Sequence, residues 1–288
     1  MIRSMIQAMT QAMTQAMTRS ALTTVTSAIL FAISPAANAA KSLCLDHPIR
    51  FSHYEFGLLF SEGLGGIDDD VQQELERRSG CKFVVDVRSR ARIWHELEAG
   101  TLDMAGSGVQ NPARDQFAWF AHYVVEDNQA HIGPKVPASV KSMEDFISKT
   151  SLTIGGVRSY SYSPYYDKQV EILTTLGRFN NAIEPKMLYR MFDGGRFDIF
   201  IASQMLSLHY FKTLQLPIPP RIVDWDPGPA TPSGLVIAKK SFTAEQGEGW
   251  QKLIEQMIQD GTLRKILIKH MGKEMGTKAE YSNPKGTR

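Results

Sequence analysis

The 288-residue chain reads as an α/β protein of two lobes, each a mostly parallel sheet flanked by helices, joined by two chain crossings. Three observations predict this. Strand-like and helix-like runs alternate almost throughout, which implies parallel sheets covered by helices on both faces. The segments "GTLDM" at 100–104 and "GRFDI" at 195–199 share Gly-x-apolar-Asp-apolar, and they lead to Ser107 and Ser203; two such units about 95 residues apart suit two related lobes. Finally, polar and proline-containing breaks fall at "VVEDNQAHIGPKVP" and at "DWDPGPATPSG", 224–234. The chain beyond the second break is too short for a domain of its own, so it returns to the first lobe. The expected limits are 1–39 for a leader, 40–128 for the first part of lobe one, 129–229 for lobe two and 230–288 for the return. Two crossings make a hinge with a cleft between the lobes.

The leader is read from charge and small residues. Arg3 and Arg19 are the only charges before Lys41, an apolar run covers 21–33, and "SPAANAA" follows it. Ala37 and Ala39 stand at minus-three and minus-one of a secretory cleavage site. The triple "QAMT" at 7–18 is low-complexity, and Met17 would open a leader of ordinary length. The apolar run is too short to span a bilayer, and no later segment qualifies as an anchor. Cleavage after Ala39 leaves 249 residues with 30 basic and 30 acidic side chains. A balanced surface argues against a nucleic-acid partner.

Cys44 and Cys81 precede two probable strands, "IRFSHY" at 49–54 and "KFVVDV" at 82–87. If those strands are parallel neighbours, a disulfide closes at their starts, as an exported compartment favours; two unpaired buried thiols are the alternative. Ile67, Val71 and Leu75 mark a helix over 67–78, and Ile93, Trp94 and Leu97 a second, followed by the buried strand "TLDMAG". Met187, Leu188, Met191 and Phe192 give a helix before the strand "RFDIFIA". Trp250, Leu253, Ile254, Met257 and Ile258 give a long amphipathic helix near the end.

Ligands of open α/β sheets bind beyond the carboxyl ends of the strands. Arg114 follows the strand at 102–106 by one loop, "GSGVQN", whose small residues include Ser107 and Val109. A guanidinium matches a carboxylate with a planar fork of donors, and backbone N–H groups and a hydroxyl of the loop can share the same anion. The structural alternative is an arginine that caps its own neighbourhood or pairs with Asp115. Arg88, Arg90 and Arg92 alternate, so in an extended segment they point the same way. They either draw in an anionic solute or form a solvated edge paired with Asp86 or Glu96. Tyr54 and Phe56 either stack on a ligand or belong to the core.

Catalysis and metal chemistry find little support. No His-x-x-x-His, Gly-x-Ser-x-Gly or lysine-bearing phosphate loop occurs. The run Asp68, Asp69, Asp70 suits a helix start, where the dipole favours acids, better than a calcium site. No cofactor is expected.

With these residues in view, the run "ARIWHELEAGTLDMAGSGVQNPARDQFAWFAHY" resembles the first lobe of type 2 periplasmic solute-binding proteins, in particular the family that binds polar amino acids for ABC transporters. "GIDDDVQQELERRSGCKF" resembles that family's helix before its second strand, "TIGGVRSYSYS" its second-lobe loop, and "GLVIAKK" the strand that re-enters lobe one. The resemblance covers roughly 45–275. It implies a monomeric periplasmic binder with an inner-membrane ABC permease as partner and a small carboxylate or amino-acid-like ligand. Arg114 matches the family arginine that clamps the ligand carboxylate, Ser107 a residue assisting it, and Arg90 falls near a pocket position. Asn111 stands where threonine is common, and Ser159 where glycine is usual. Tyr160 and Ser161 stand where small hydroxyl residues touch the carboxylate. One departure concerns the ligand's ammonium group: the family commonly anchors it on an aspartate, and that position here is Ser203. Either the ligand is no ordinary α-amino acid or another carboxylate, such as Glu55, substitutes. The same scaffold also resembles cyclohexadienyl dehydratases, which makes an enzyme the rival reading, and a periplasmic sensor partner is the other.

Overall fold

The structure, a computed structural model, describes residues 43–219 and 221–282. The expected leader lies outside them. The first lobe opens with β1 (Ile49–His53), then α1 (Ile67–Ser79), β2 (Phe83–Val87), α2 (Arg90–Ala99), β3 (Met104–Val109), a 3-10 turn at Arg114–Gln116 and β4 (Ala118–Glu126). The chain then enters the second sheet directly through β5 (Asn128–Ile132). There follow α3 (Met143–Lys149), β6 (Ile154–Val157), α4 (Pro164–Thr175), β7 (Phe179–Ala182), α5 (Pro185–Asp193), β8 (Ile199–Ser203), α6 (Gln204–Thr213) and β9 (Arg221–Val223). Finally β10 (Thr231–Ala238) rejoins the first sheet, and α7 (Ala244–Gln259), α8 (Thr262–Met271) and α9 (Lys273–Lys278) close the described chain.

The sheets run β2-β1-β3-β10-β4 and β7-β6-β8-β5-β9. In each, three strands pair in parallel, and a fourth, β10 or β5, runs antiparallel between its neighbours. Four of five strands in each sheet therefore share a direction. The mostly parallel two-lobe α/β fold expected from the alternation is the fold observed. Helix cover is less complete than expected, because β2 is an outer strand that leaves Val84 58% exposed.

Local chemistry explains the elements that frame the cleft. α1 stops at Gly80 and α2 at Gly100, whose φ angles of 70° and 80° fall in the left-handed region that glycine enters without a Cβ clash. α4 starts at Ser163, whose hydroxyl accepts from the Tyr166 N–H, with Pro164 opening the first turn. The strand predicted at 101–106 begins three residues later, at Met104. Asp103 is drawn out of the ladder to accept the Arg50 N–H at 2.8 Å.

Parallel pairing of β1 with β2 sets Ile49 beside Phe83, so the strand starts adjoin. Cys44 and Cys81 lie just before them, bridged, with Cα atoms 5.2 Å apart. One apolar cluster runs from Ile49, Phe51 and Trp250 in the first lobe to Tyr189, Phe200 and Leu206 in the second. The apolar cores of the two lobes are thus continuous.

Candidate functional site

The loop after β3 is held from behind. Ser107 has φ 47°, unusual for a side chain with a Cβ. Its hydroxyl donates to Asp68 Oδ1 at 2.7 Å, and the same oxygen accepts from the Tyr123 hydroxyl. Asp68, the second residue of α1, is buried, and burial pushes its carboxyl up to about 6 despite those two donors. The acidic run thus divides its work: Asp68 braces the loop, whereas Asp70 pairs on the surface with Lys269 and His270.

Arg114 opens the 3-10 turn. Asn111, in the place where threonine was expected, accepts the Arg114 N–H on Oδ1 at 3.0 Å and fixes the turn. The guanidinium lies over the Trp94 ring, 3.9 Å from its centroid. Nη1 donates to the Val109 carbonyl at 2.6 Å, and Nη2 crosses to the second lobe to donate to the Ser159 carbonyl at 3.0 Å. Burial, reinforced by the charge of Arg90, pulls the Arg114 guanidinium down to about 9, so it stays cationic at neutral pH. Asp115 does not pair with Arg114; it accepts from Gln110 instead.

The three alternating arginines do not point one way. Ser89 begins a helix, so the extended geometry behind that expectation ends before Arg90. Arg88 pairs with Asp86 and Glu96, and Arg92 with Glu96, as the solvated-edge reading has it. Arg90 alone turns inward. It is 6% exposed, its guanidinium carbon sits 3.7 Å from the Tyr54 ring centroid, and its donors reach the Gly106 and Ser107 carbonyls. Neither Arg90 nor Arg114 has a carboxylate ion-pair partner among the described residues.

From the second lobe, the segment after β6 reaches over this surface. Asp167 in α4 pins it, accepting from the Ser161 hydroxyl and from the Tyr162 N–H at 2.8 Å. Tyr160 packs edge-on against Tyr54 with centroids 6.1 Å apart, and its hydroxyl is buried without a protein partner. Ser203 ends β8 and caps α6, accepting weakly from the Leu206 N–H. Ser159, with φ 64°, contributes its carbonyl rather than its side chain.

A cavity forms between the lobes. Tyr54, Arg90, Ser107, Val109 and Arg114 line it from the first lobe, and Tyr160, Ser161 and Ser203 from the second. Of the nine residues expected at the site, Ser159 alone is not in the lining. The space left for the centre of a water-sized sphere is about 20 Å³, room for about one water, so the lobes are shut. Glu55 is absent from the lining: its carboxylate accepts from the Glu62 N–H at 2.6 Å and from Ser61 beside the cleft.

Sequence reasoning missed Glu126. It ends β4, lines the cavity and is 4% exposed. Burial drives its carboxyl up to about 7, against hydroxyls of Ser233 and Ser203 and the charge of Arg90. A signal was present: strand alternation puts Glu126 on the face of buried Val124.

A two-lobe fold with a basic interlobe cavity narrows the families that fit, and one decides. The model of the bacterial extracellular solute-binding proteins, family 3, matches residues 52–273. The chain belongs to that family. Among solved structures, this chain is similar in fold to an ancestral arginine-binding protein bound to arginine, at 21% identity and TM-score 0.64, covering 78% of this chain and 98% of that one. It is similar also to ArtJ, the arginine-, lysine-, histidine-binding protein of Geobacillus stearothermophilus, at 17% identity and TM-score 0.63, over 79% and 96% of the two chains. A histidine kinase sensor domain with similarity to periplasmic binding proteins aligns at 12% identity and TM-score 0.65, over 78% and 96%. No curated protein is detectably similar in sequence. No helix among the described residues is long and apolar enough to cross a membrane.

Proposed function

We propose that the protein captures a small carboxylate-bearing solute in its interlobe cleft, in the periplasm, and presents it to an ABC permease. The observation that carries this reading is the pair Arg90 and Arg114, two cations on the cavity wall with only backbone carbonyls as hydrogen-bond acceptors. A buried cation without a counter-charge is costly, and a carboxylate ligand offsets that cost. The ligand contacts are Arg114, Ser107, Val109, Arg90 and Tyr54 on the first lobe. Tyr160, Ser161, Ser203 and the Ser159 backbone close over it. Because the cavity has room for only about one water, the solute enters when the lobes part, and closure traps it.

A thermal-shift panel of amino acids and simple carboxylates tests this, since a ligand bound only by the native state raises the melting temperature by mass action. A rise with one or a few of them, lost in Arg114→Ala, is expected; no rise with any carboxylate contradicts the reading. Two rivals have an observation each. The similarity to a sensor domain favours reporting to a membrane receptor, and failure of the liganded protein to stimulate a reconstituted permease would select it. A carboxyl held near 7 in the cleft, that of Glu126, suits an acid–base enzyme. Recovery of the bound solute with unchanged mass excludes a dehydratase.

A further inference from the structure

Between β1 and α1, residues 55–65 form a strap that reaches from the first lobe onto α6 of the second. The strap is tied down on its own side. Phe56 donates its N–H to the Phe60 carbonyl at 2.8 Å, and Ser61 and Gly65 exchange backbone hydrogen bonds, each 2.9 Å. The N–H groups of Ile67 and Asp68, at the start of α1, donate to the Leu58 and Leu59 carbonyls. Phe60 stacks on His53 of β1 with ring centroids 4.2 Å apart. The far side of the strap meets α6 closely. Gly57 has φ 59°, and a Cβ placed on it would lie 3.2 Å from the His209 Cβ and 3.3 Å from the Leu206 Cα and the Met205 carbonyl oxygen. Glycine suits both that backbone angle and that approach.

At this contact a polar chain crosses from lobe to lobe. His209 Nε2 lies 3.2 Å from the buried Ser61 hydroxyl, which donates to Glu55 Oε2 at 3.3 Å. The other Glu55 oxygen accepts the Glu62 N–H at 2.6 Å, which fixes the carboxylate within the strap. None of Glu55, Gly57, Ser61 and His209 lines the cavity. Because the strap is held by its own lobe, the lobes part only when the Ser61–His209 contact breaks.

We propose that the strap is a latch: Ser61 of the first lobe engages His209 of the second, holds the empty cleft shut, and releases it when His209 takes up a proton. His209 is then a positioning residue for capture, since it governs access without touching the solute. Burial under the strap pulls its imidazole below the usual 6.5, and the charge of Glu55 opposes that without reversing it. Glu62, the other acid of the strap, is exposed, as is Lys212 one turn along α6. Tyr210 stands edge-on to the His209 ring with centroids 4.8 Å apart, and Glu184 from α5 acts on Tyr210. Parting the lobes exposes His209, so the parted form binds the proton more readily than the shut one. Closure from this group is therefore full above about 6.5 and weakens as pH falls below it.

Small-angle X-ray scattering of the protein, freed of solute by unfolding and refolding, reads the latch with no ligand present. At pH 8 the wild type should scatter as the shut structure does. Gly57→Ala and His209→Ala should show a larger radius of gyration at that pH, with melting temperatures within a few degrees of wild type. His209→Ala changes a half-buried side chain and carries the comparison should Gly57→Ala not fold. At pH 5.5 the wild type should open as well. His209→Gln keeps a donor for Ser61 and does not titrate, so it should stay shut at both pH values. That variant separates His209 from Glu126 and Asp68, whose carboxyls titrate in the same range. A wild type already open at pH 8, or folded alanine variants that scatter as wild type does, overturns the latch. Equal opening of His209→Gln and wild type at pH 5.5 overturns the proton trigger. Either failure leaves carboxylate capture standing, and silence of the carboxylate panel leaves the latch standing.

Discussion

Asp103 and Asp198 do the same work in the two lobes. Each stands just before the central strand of its sheet, donates its N–H to a carbonyl in or just before the neighbouring strand, at Arg50 or Thr153, and accepts that residue's N–H on its carboxylate. The repeated Gly-x-apolar-Asp-apolar pattern records this brace, which fixes the register of β3 on β1 and of β8 on β6. At the other end of those strands the lobes diverge. Every charged residue lining the cavity, Arg90, Arg114 and Glu126, comes from the first lobe. The second lobe presents hydroxyls, an amide and apolar groups, with its nearest acid, Asp167, turned back onto its own loop. A shared frame thus carries two chemistries: one lobe holds charge and the other closes over it.

Breaking the frame of the charged lobe should have the largest effect on stability. The Cys44–Cys81 bridge closes 37 residues of chain, and in the chain-entropy model its loss costs about 3–4 kcal/mol. Replacing both cysteines by serine should lower the denaturation midpoint accordingly while leaving ligand affinity unchanged, because the bridge sits at the strand starts and the site at their ends. Equal losses of affinity and stability would mean that the lobe transmits strain between its two ends.

The brace under Ser107 comes next. Asp68→Ala strands the Ser107 and Tyr123 hydroxyls, a cost of about 1–3 kcal/mol, and should loosen the loop enough to weaken binding by on the order of 10-fold. Asp68→Asn keeps an acceptor and should recover most of both. A merely structural Asp68 would change the melting temperature and leave affinity alone.

The smallest effect is the pH dependence of the unliganded protein. Burial raises Glu126 from its usual 4.5 to about 7, so between those values the native state holds more protons than the unfolded one. Stability from this group is therefore full below about 4.5, falls as pH rises through 7 and is constant above. Asp68, raised to about 6, acts in the same sense. Glu126→Gln mimics the protonated form, so its melting temperature should match wild type at pH 4.5 and exceed it by a few degrees at pH 8. An equal difference at both pH values would mean that Glu126 ionises in the fold as it does in the unfolded chain.

The frame was legible because periodicity and the repeated motif report backbone architecture. Helices at 67–79, 90–99 and 244–259 follow apolar spacings that any solvent-facing helix must show. The adjacency of the two cysteines followed from parallel pairing alone. The site was legible where a loop sits beyond a strand end, as for Arg114 and Ser107, and less so where the chain's conformation changes within a few residues. At Ser89 an extended run becomes a helix, and that switch separates Arg90 from Arg88 and Arg92. Glu126 was hidden because an acid between "YVV" and a polar break reads as the break itself. Only the inward-facing alternation of β4 exposes it, and its value to the site depends on Ser203, 77 residues later, which no local pattern links to it.

One pair of titrations addresses the division between the lobes most directly. Arg114→Ala and Ser161→Ala each remove a single lining side chain, one from each lobe, and each can be titrated with the amino acid that shifts the wild-type melting temperature most. Arg114→Ala should lose binding by more than roughly 100-fold, as expected when the partner of a buried charge is removed, with its melting temperature unchanged. Ser161→Ala, whose hydroxyl is committed to Asp167, should stay within a few-fold of wild type. The reverse order, with Ser161→Ala silent and Arg114→Ala binding normally, would place the ligand's charge on the second lobe and contradict the account.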